Sequence, residues 1–290
     1  MKIVGLMPVR NEAWILGLSA RVALQWCDEL VILNHASTDD SGPILMELAD
    51  EFPHRVLIVR DDRPAWDEMR HRRAMLELAR QMHAPESVHI AIVDADEVLT
   101  ANLVPHVRSW VEGTPRGSIL QLPLYNLRGG IDRYHVNGVW GNRIVSVAFA
   151  DMPELHWGGD MFHSREPHGA RLAGFCPIAQ GEGGVLHFWG ASEKRLHEKH
   201  RLYRVTERLR WPEKDVAQIE RTYSMAEKGQ PFVGDTPGKW VYRGVPEAWY
   251  ADYEDLMAKY LEVDAEPWQK AECDRLIAEH GRERFAGLDV

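Results

Sequence analysis

The chain of 290 residues holds only three cysteines, Cys27, Cys176 and Cys273, far apart and without a Cys-x-x-Cys pair. A disulfide framework and a zinc knuckle are therefore not expected, and a reducing cytoplasm is the simplest compartment. No window approaches the ~18 consecutive apolar residues of a membrane span, so any membrane contact is expected to be peripheral. The first residues, Met1-Lys2-Ile3-Val4-Gly5-Leu6-Met7-Pro8, carry one charged side chain and a short apolar run. They read as a first strand rather than a signal peptide. Positive charge is also scarce: 34 Lys and Arg against 44 Asp and Glu give a net charge of −10. That balance argues against nucleic acid as a partner, which needs clustered Lys and Arg, while leaving room for a local basic pocket around one diphosphate. Gly-x-Gly-x-x-Gly and Gly-x-x-x-x-Gly-Lys-Ser/Thr are both missing, and with them the usual phosphate cradles of dinucleotide oxidoreductases and P-loop enzymes. There is no internal repeat and no low-complexity tract.

What is present is ordinary globular composition, 45% hydrophobic and 27% charged, with a strongly alternating first half. Short apolar runs at 3–9, 29–34, 55–60 and 88–93 read as buried strands. Segments 12–26, 41–52 and 68–82 place apolar residues at helical spacing. Buried strands separated by helices imply an α/β fold with a parallel sheet covered on both faces, each crossover right-handed. After residue 113 Gly and Pro become frequent. Runs at 118–124, 143–149 and 185–189 suggest further strands between long loops. Residues 193–209 form a basic amphipathic helix, and helices are expected near 213–227, 247–261 and 266–280. The stretch 229–245, with two Pro and four Gly, reads as a loop. This divides the chain into a catalytic-type domain over 1–210 and a helical C-terminal extension over 211–290. The 11 tryptophans read chiefly as core, with sugar stacking on a few exposed rings as the alternative.

Ligands of open α/β sheets bind beyond the C-terminal ends of the strands. Four successive loops there are rich in polar and acidic groups: Arg10-Asn11-Glu12, then Asn34 to Gly42, then Arg60-Asp61-Asp62, then Asp94-Ala95-Asp96-Glu97. The last follows a buried strand directly. Two carboxylates leaving a strand two residues apart face the same side and repel unless a cation lies between them. A hard divalent ion, Mn2+ or Mg2+, suits such oxygen ligands and would bridge nucleotide phosphates. A helix N-cap before Ala101 is the structural alternative.

In that order and at those strand ends, Pro8-Val9-Arg10-Asn11-Glu12, Ser37-Thr38-Asp39 and Asp94-Ala95-Asp96-Glu97 resemble a family 2 glycosyltransferase with the GT-A fold. The motifs cover roughly residues 1–110. A weaker likeness runs through Arg143, His187, Lys199 and Tyr203, towards the branch with lipopolysaccharide-core and cell-surface glycan transferases. The resemblance implies a nucleoside-diphosphate sugar as donor, a UDP-sugar favoured, and a glycan, lipid-linked sugar or small cell-surface precursor as acceptor. It implies transfer with inversion, and a homo-oligomer is left open. Carried onto this sequence, it points to Pro8, Arg10, Glu12, Asn34 and Asp39 around nucleobase and ribose. Arg72, with Arg70 and Arg73 as rivals, falls where the family's helix arginine meets the diphosphate. Asp94 falls at the ribose or at a water-mediated metal contact, and Asp96 and His187 fall on the metal. One departure is visible: Asn34 stands where the family usually has Asp, and its amide adds a hydrogen-bond donor.

Inverting transfer needs a carboxylate to take the acceptor's proton. The segment 156–166 offers Asp160 and Glu166. The position after His163, where a family carboxylate often stands, is Ser164, which cannot serve. Asp160 is preferred because Gly158 and Gly159 let the backbone approach a ligand. His197-Glu198-Lys199-His200 imitates a zinc-protease motif, but its histidines are three apart rather than four, so it reads as a polar helix face. Two other functions share these features. A nucleotidyltransferase also uses paired carboxylates, although its glycine-rich loop is missing after the first strand. A non-catalytic nucleotide or sugar binder needs no base at all.

Overall fold

The computed structural model describes residues 1–63, 67–158, 164–227, 232–233, 236–237 and 239–290. The first part alternates as its sequence does: β1 (Lys2–Val9), α1 (Ala13–Ala23), β2 (Glu29–His35), α2 (Ser41–Glu51), β3 (Val56–Asp61), α3 (Glu68–Met82), β4 (Val88–Ile92). Helix α3 starts where Asp67 accepts a hydrogen bond from the Arg70 amide at 3.0 Å, which satisfies one of the orphan donors of the first turn. After β4 come β5 (Glu97–Leu99), α4 (Val104–Glu112), β6 (Ser118–Asn126), β7 (Arg133–His135), β8 (Arg143–Ala150), β9 (Ala173–Phe175) and β10 (Val185–His187). The remainder holds α5 (Glu193–Arg210), α6 (Val216–Glu227), β11 (Phe232–Val233), β12 (Thr236–Pro237), β13 (Tyr242–Gly244), α7 (Glu254–Tyr260) and α8 (Gln269–His280).

Nine described strands make one sheet in the order β3-β2-β1-β4-β8-β6-β10-β5, with β9 paired to β6. Strands β3, β2, β1 and β4 are mutually parallel. β8 runs antiparallel between β4 and β6, and β10 runs antiparallel to β5. The result is a mixed central sheet with flanking helices and a helical C-terminal extension, an arrangement consistent with a GT-A Rossmann-like fold. Strand order reverses between β1 and β4, so the crevice where open sheets take their ligands lies at the ends of β1, β2 and β4.

By packing, the chain forms two compact units. The first comprises Met1–Leu124, Arg143–His187 and Pro246–Glu262; the second comprises Tyr125–Asn142, Phe188–Val245 and Val263–Val290. The first unit's core packs Val4, Leu6, Val31, Leu33, Ile90 and Ile92 of the parallel strands against Met69, Met75, Leu76 and Ala79 of α3. Each of these Val, Leu, Ile and Met side chains taken fully out of water contributes about 1.5–3 kcal/mol. The late segment Pro246–Glu262 belongs to this unit through specific contacts. Glu262 donates its amide to the Trp14 carbonyl at 2.8 Å, Tyr253 donates its hydroxyl to the Leu99 carbonyl at 3.0 Å, and the Arg21 guanidinium lies 3.8 Å from the Tyr260 ring centroid. Gly17 makes this possible, because a Cβ there would sit 2.7 Å from Tyr260 Cδ1.

In the second unit, α5 and α8 enclose Leu202, Val205, Cys273, Ile277 and Phe285. Here the stretch read as a loop holds three short strands: β11 pairs antiparallel with β12, and β13 pairs antiparallel with β7, Arg243 opposite Tyr134. The three-residue β13 is exposed throughout, so no apolar alternation marks it. The three cysteines are free thiols. Among the described residues no helix is long and apolar enough to cross a membrane.

Candidate functional site

The loops after the parallel strands meet at one edge of the first unit, and the first two are tied together. Asn11, buried and in the left-handed region at φ 55°, accepts from the amides of Thr38 at 2.6 Å and Asp39 at 3.2 Å. Its own amide donates to Ser37 Oγ at 3.0 Å. A non-glycine residue at positive φ costs backbone energy and persists where its surroundings fix it; Asn tolerates it best. Asp39 accepts from the amides of Ala13 at 3.0 Å and Ser41 at 2.9 Å, one with each carboxylate oxygen. Those amides open α1 and α2, where a carboxylate is favoured by the helix dipole. Glu12 accepts from Trp14 Nε1 at 2.6 Å, and Asn34 Oδ1 accepts from the Ser37 amide at 3.3 Å. Pro8 pairs with Leu33 in the sheet, one residue before Asn34. Arg10 is half-buried at the end of β1.

At the ends of β2 and β3 stands a group whose members the sequence reading quoted only in part, without Arg63 and His71. His35 lies opposite Asp61 in the strand register, and its Nε2 is 2.7 Å from the Arg63 carbonyl. Arg63 and Arg70 both pair with Asp61, at 2.9 and 2.7 Å. Arg63's hydrogen bonds, outweighing burial, hold the Asp61 carboxyl well below the usual carboxylate range. His71 packs against His35 with ring centroids 4.3 Å apart and the planes tilted by 48°. Its pKa is pushed down to about 4 by burial and by the nearby His35 and Arg70, and burial, with the charge of Arg10, also lowers that of His35.

The loop after β4 is organised by arginines. Arg72 bonds Glu68 at 2.8 Å and Asp94 Oδ1 at 3.1 Å. Arg165 uses all five of its N–H groups: Ser146 carbonyl 2.6 Å, Asp94 Oδ2 2.7 Å, Glu97 Oε1 2.9 Å, Ile92 carbonyl 2.9 Å and Glu97 Oε2 2.7 Å. The result is an alternating chain of charges, Glu68–Arg72–Asp94–Arg165–Glu97. Burial raises the Asp94 pKa, but Arg165 and Arg72 outweigh it and hold the carboxyl below its ordinary value. For Glu97, burial wins and pushes its pKa up, Arg165 opposing and Asp94 reinforcing. The repulsion that made a metal seem necessary between the two aspartates is thus relieved at Asp94 by guanidinium groups.

The case for a metal rests instead on Asp96 and His187. Residues 97–99 are a strand rather than the approach to a helix cap, and β10 pairs with it so that His187 stands opposite Glu97. That register brings His187 Nε2 to 3.5 Å from Asp96 Oδ2. Neighbouring ligands of one octahedral ion, each about 2.1 Å from it, sit roughly 3 Å apart, and such ions take one or two protein groups and fill the rest with phosphate oxygens and water. The pair fits that requirement. Among the described residues no cluster of three or more His, Cys, Asp or Glu forms a complete cage.

Of the two candidate bases, Asp160 lies outside the described residues. Glu166 is exposed and accepts a short hydrogen bond from Ser146 Oγ. Arg70 faces Asp61 and Arg73 is exposed on α3. Lys199 and Tyr203 lie on α5 in the second unit. There His200, read as part of a polar helix face, is buried, with Nδ1 3.3 Å from Glu227. Burial lowers its pKa. Asn11 and Arg165 are the organising residues that the sequence reading did not single out. Asn11 was visible inside a quoted motif; Arg165 has no local signal, because its partners lie far from it in the chain.

No family model matches the chain, and no curated protein matches it. Among solved structures it is similar to S. aureus TarS 1-349, at 10% identity over 79% of this chain and 71% of that one, with a TM-score of 0.42. In the complex of TarS with UDP the match covers 44% of this chain and only 37% of that one, at a TM-score of 0.37. The mannosyltransferase PcManGT from Pyrobaculum calidifontis, in complex with GDP-Man and Mn2+, matches at 14% identity over 97% of this chain and 75% of that one, with a TM-score of 0.42. Glucosyl-3-phosphoglycerate synthase from Mycobacterium tuberculosis matches at 18% identity over 44% of this chain and 45% of that one, with a TM-score of 0.29. Likeness of this degree says nothing of what this chain binds.

Proposed function

We propose that the chain is a metal-dependent glycosyltransferase of GT-A type, moving a sugar from a nucleoside-diphosphate sugar, UDP-linked by preference, to a glycan, lipid-linked or small cell-surface acceptor with inversion. The observation that carries this reading is the meeting of Asp96 and His187 at 3.5 Å beside the ends of the parallel strands, with the three motif loops of the family 2 resemblance along the same edge. In this reading the Arg-Asn-Glu and Ser-Thr-Asp loops, with Pro8, Arg10, Glu12, Asn34 and Asp39, frame the nucleoside. Arg72 adds positive charge near the diphosphate, and Asp94 fixes the loop that carries Asp96. Mn2+ or Mg2+ on Asp96 and His187 would neutralise charge on the departing diphosphate. Asp160 or Glu166 takes the acceptor's proton.

The test is thermal unfolding with UDP, GDP, CDP and dTDP, each with and without Mn2+. Nucleotide at 100 times its dissociation constant adds about 2.7 kcal/mol of stability, a shift on the order of 5 °C for a chain of this size. A shift with one nucleotide that requires Mn2+ supports the reading and identifies the donor base. A folded protein that shifts with none overturns it.

A further inference from the structure

We infer that Arg165 is a positioning residue that locks the Asp94–Glu97 loop to the segment carrying Glu166, so that the metal-bearing Asp96 and the acceptor-side carboxylate are set by one side chain. This inference rests on the function proposed above and goes beyond it.

Three features carry it. The first is saturation. A guanidinium offers five N–H groups in a rigid fork, and all five of Arg165 are used, on Ile92 before the loop, on Asp94 and Glu97 within it, and on Ser146 across the sheet in β8. An arginine so engaged has no donor left for a phosphate, which separates it from Arg72. The second is placement. Its two carboxylate partners stand on either side of Asp96, so holding them fixes the backbone from which Asp96 reaches His187. The third is continuity. Ser146 gives its carbonyl to Arg165 and its hydroxyl to Glu166, the Ser164 hydroxyl donates to the Glu166 carbonyl at 2.9 Å, and Trp157 Nε1 donates to the Ser164 carbonyl at 3.1 Å. The same short segment therefore grips the donor-side loop with one residue and presents a candidate base with the next. A cavity of about 20 Å³ lies behind this contact, lined by Glu97, Arg165 and Ser19 among apolar neighbours. It is large enough for roughly one water molecule.

A purely structural arginine in the same unit serves as the control. Arg80 holds the fully buried Asp151 at 2.8 and 2.7 Å and donates to the carbonyls of Met152 and Leu155. The experiment compares Arg165→Lys and Arg80→Lys in the full chain by two readouts: Mn2+-dependent nucleotide affinity, and amide hydrogen exchange over residues 93–99 and 164–166. Both variants lose stability. Arg165→Lys alone speeds exchange in both segments and weakens Mn2+-nucleotide binding roughly 10- to 100-fold, the usual effect of removing a group that orients a metal ligand. If Arg165→Lys does not fold, Glu97→Gln loosens the same fork from its other end and gives the same two changes. Unchanged exchange in either segment of the variant, or unchanged affinity in the variant when the wild type does bind, overturns the inference. A wild type that binds no nucleotide overturns the proposed function, and the exchange comparison still decides whether Arg165 locks the two segments.

Discussion

Each compact unit contains a buried ionic network built on one arginine, and the two are made differently. In the second unit Arg204, fully buried, bonds Glu220 and Glu227, each through two contacts between 2.7 and 3.3 Å. Its partners lie 16 and 23 residues away on the next helix. In the first unit Arg165 draws on two strands and a loop 68 to 73 residues away and on Ser146 of β8, 19 residues away. Both units also hold an imidazole beside a carboxylate: His200 with Glu227, and His187 with Asp96. In the second unit the guanidinium takes both oxygens of that carboxylate. In the first it takes the acids flanking it in sequence. The lesson concerns how buried charge is to be interpreted. The Arg204 network closes upon itself and joins two helices; the Arg165 network spans a strand edge and holds a carboxylate–imidazole pair in place without consuming it.

The sharpest break of the comparison is Arg204→Met. It preserves volume but strands two carboxylates, and removal of one partner from a buried pair costs about 3–5 kcal/mol. Urea denaturation should show that loss; a change below about 1 kcal/mol would mean that the network is no more than a surface pair. Next comes Asp96→Asn in the first unit. It should weaken Mn2+-dependent nucleotide binding at least 100-fold, or about 2.7 kcal/mol, measured by titration calorimetry, with global stability nearly unchanged. Wild-type affinity in that variant removes the metal site.

The third test is pH. Burial raises the Glu227 pKa, but hydrogen bonds from His200 and Arg204 outweigh it and bring it to about 2. A folded pKa below the unfolded one stabilises the protein above about 4.5, and that stability disappears as pH falls towards 2. His200, lowered by burial, acts in the same direction beginning near pH 6.5. Stability should therefore fall by about 2–3 kcal/mol on acidification through this window, and Glu227→Gln should flatten the lower part of the slope in urea titrations at pH 7, 4 and 3. An unaltered slope would place the titrating group elsewhere.

The parallel half of the sheet was legible because its signals are local. Helix α3 occupies the predicted residues 68–82, with Asp67 as a readable cap, and β4 is apolar but for the buried His89. What stayed hidden depends on partners distant in sequence. β5 has three residues and no alternation of its own; its partner is β10, more than eighty residues on. β13 is exposed and identifiable only by its pairing with β7. The site divided in the same way. Asp94, Asp96 and the strand-end loops could be picked out from motif and position, whereas Arg165 is one arginine among many until its five acceptors are assembled around it.

The return of Pro246–Glu262 to the first unit bears on how the protein is made. The residues that cover helix α1, Tyr260 over Gly17 and Arg21 and Glu262 on Trp14, leave the ribosome about 240 residues after it. At about 5–20 residues per second that delay is on the order of 10–50 seconds. Throughout it the Gly17–Arg21 surface of α1 lacks its native cover. Translation of Pro246–Glu262 thus sets the earliest moment at which the nascent first unit can finish folding.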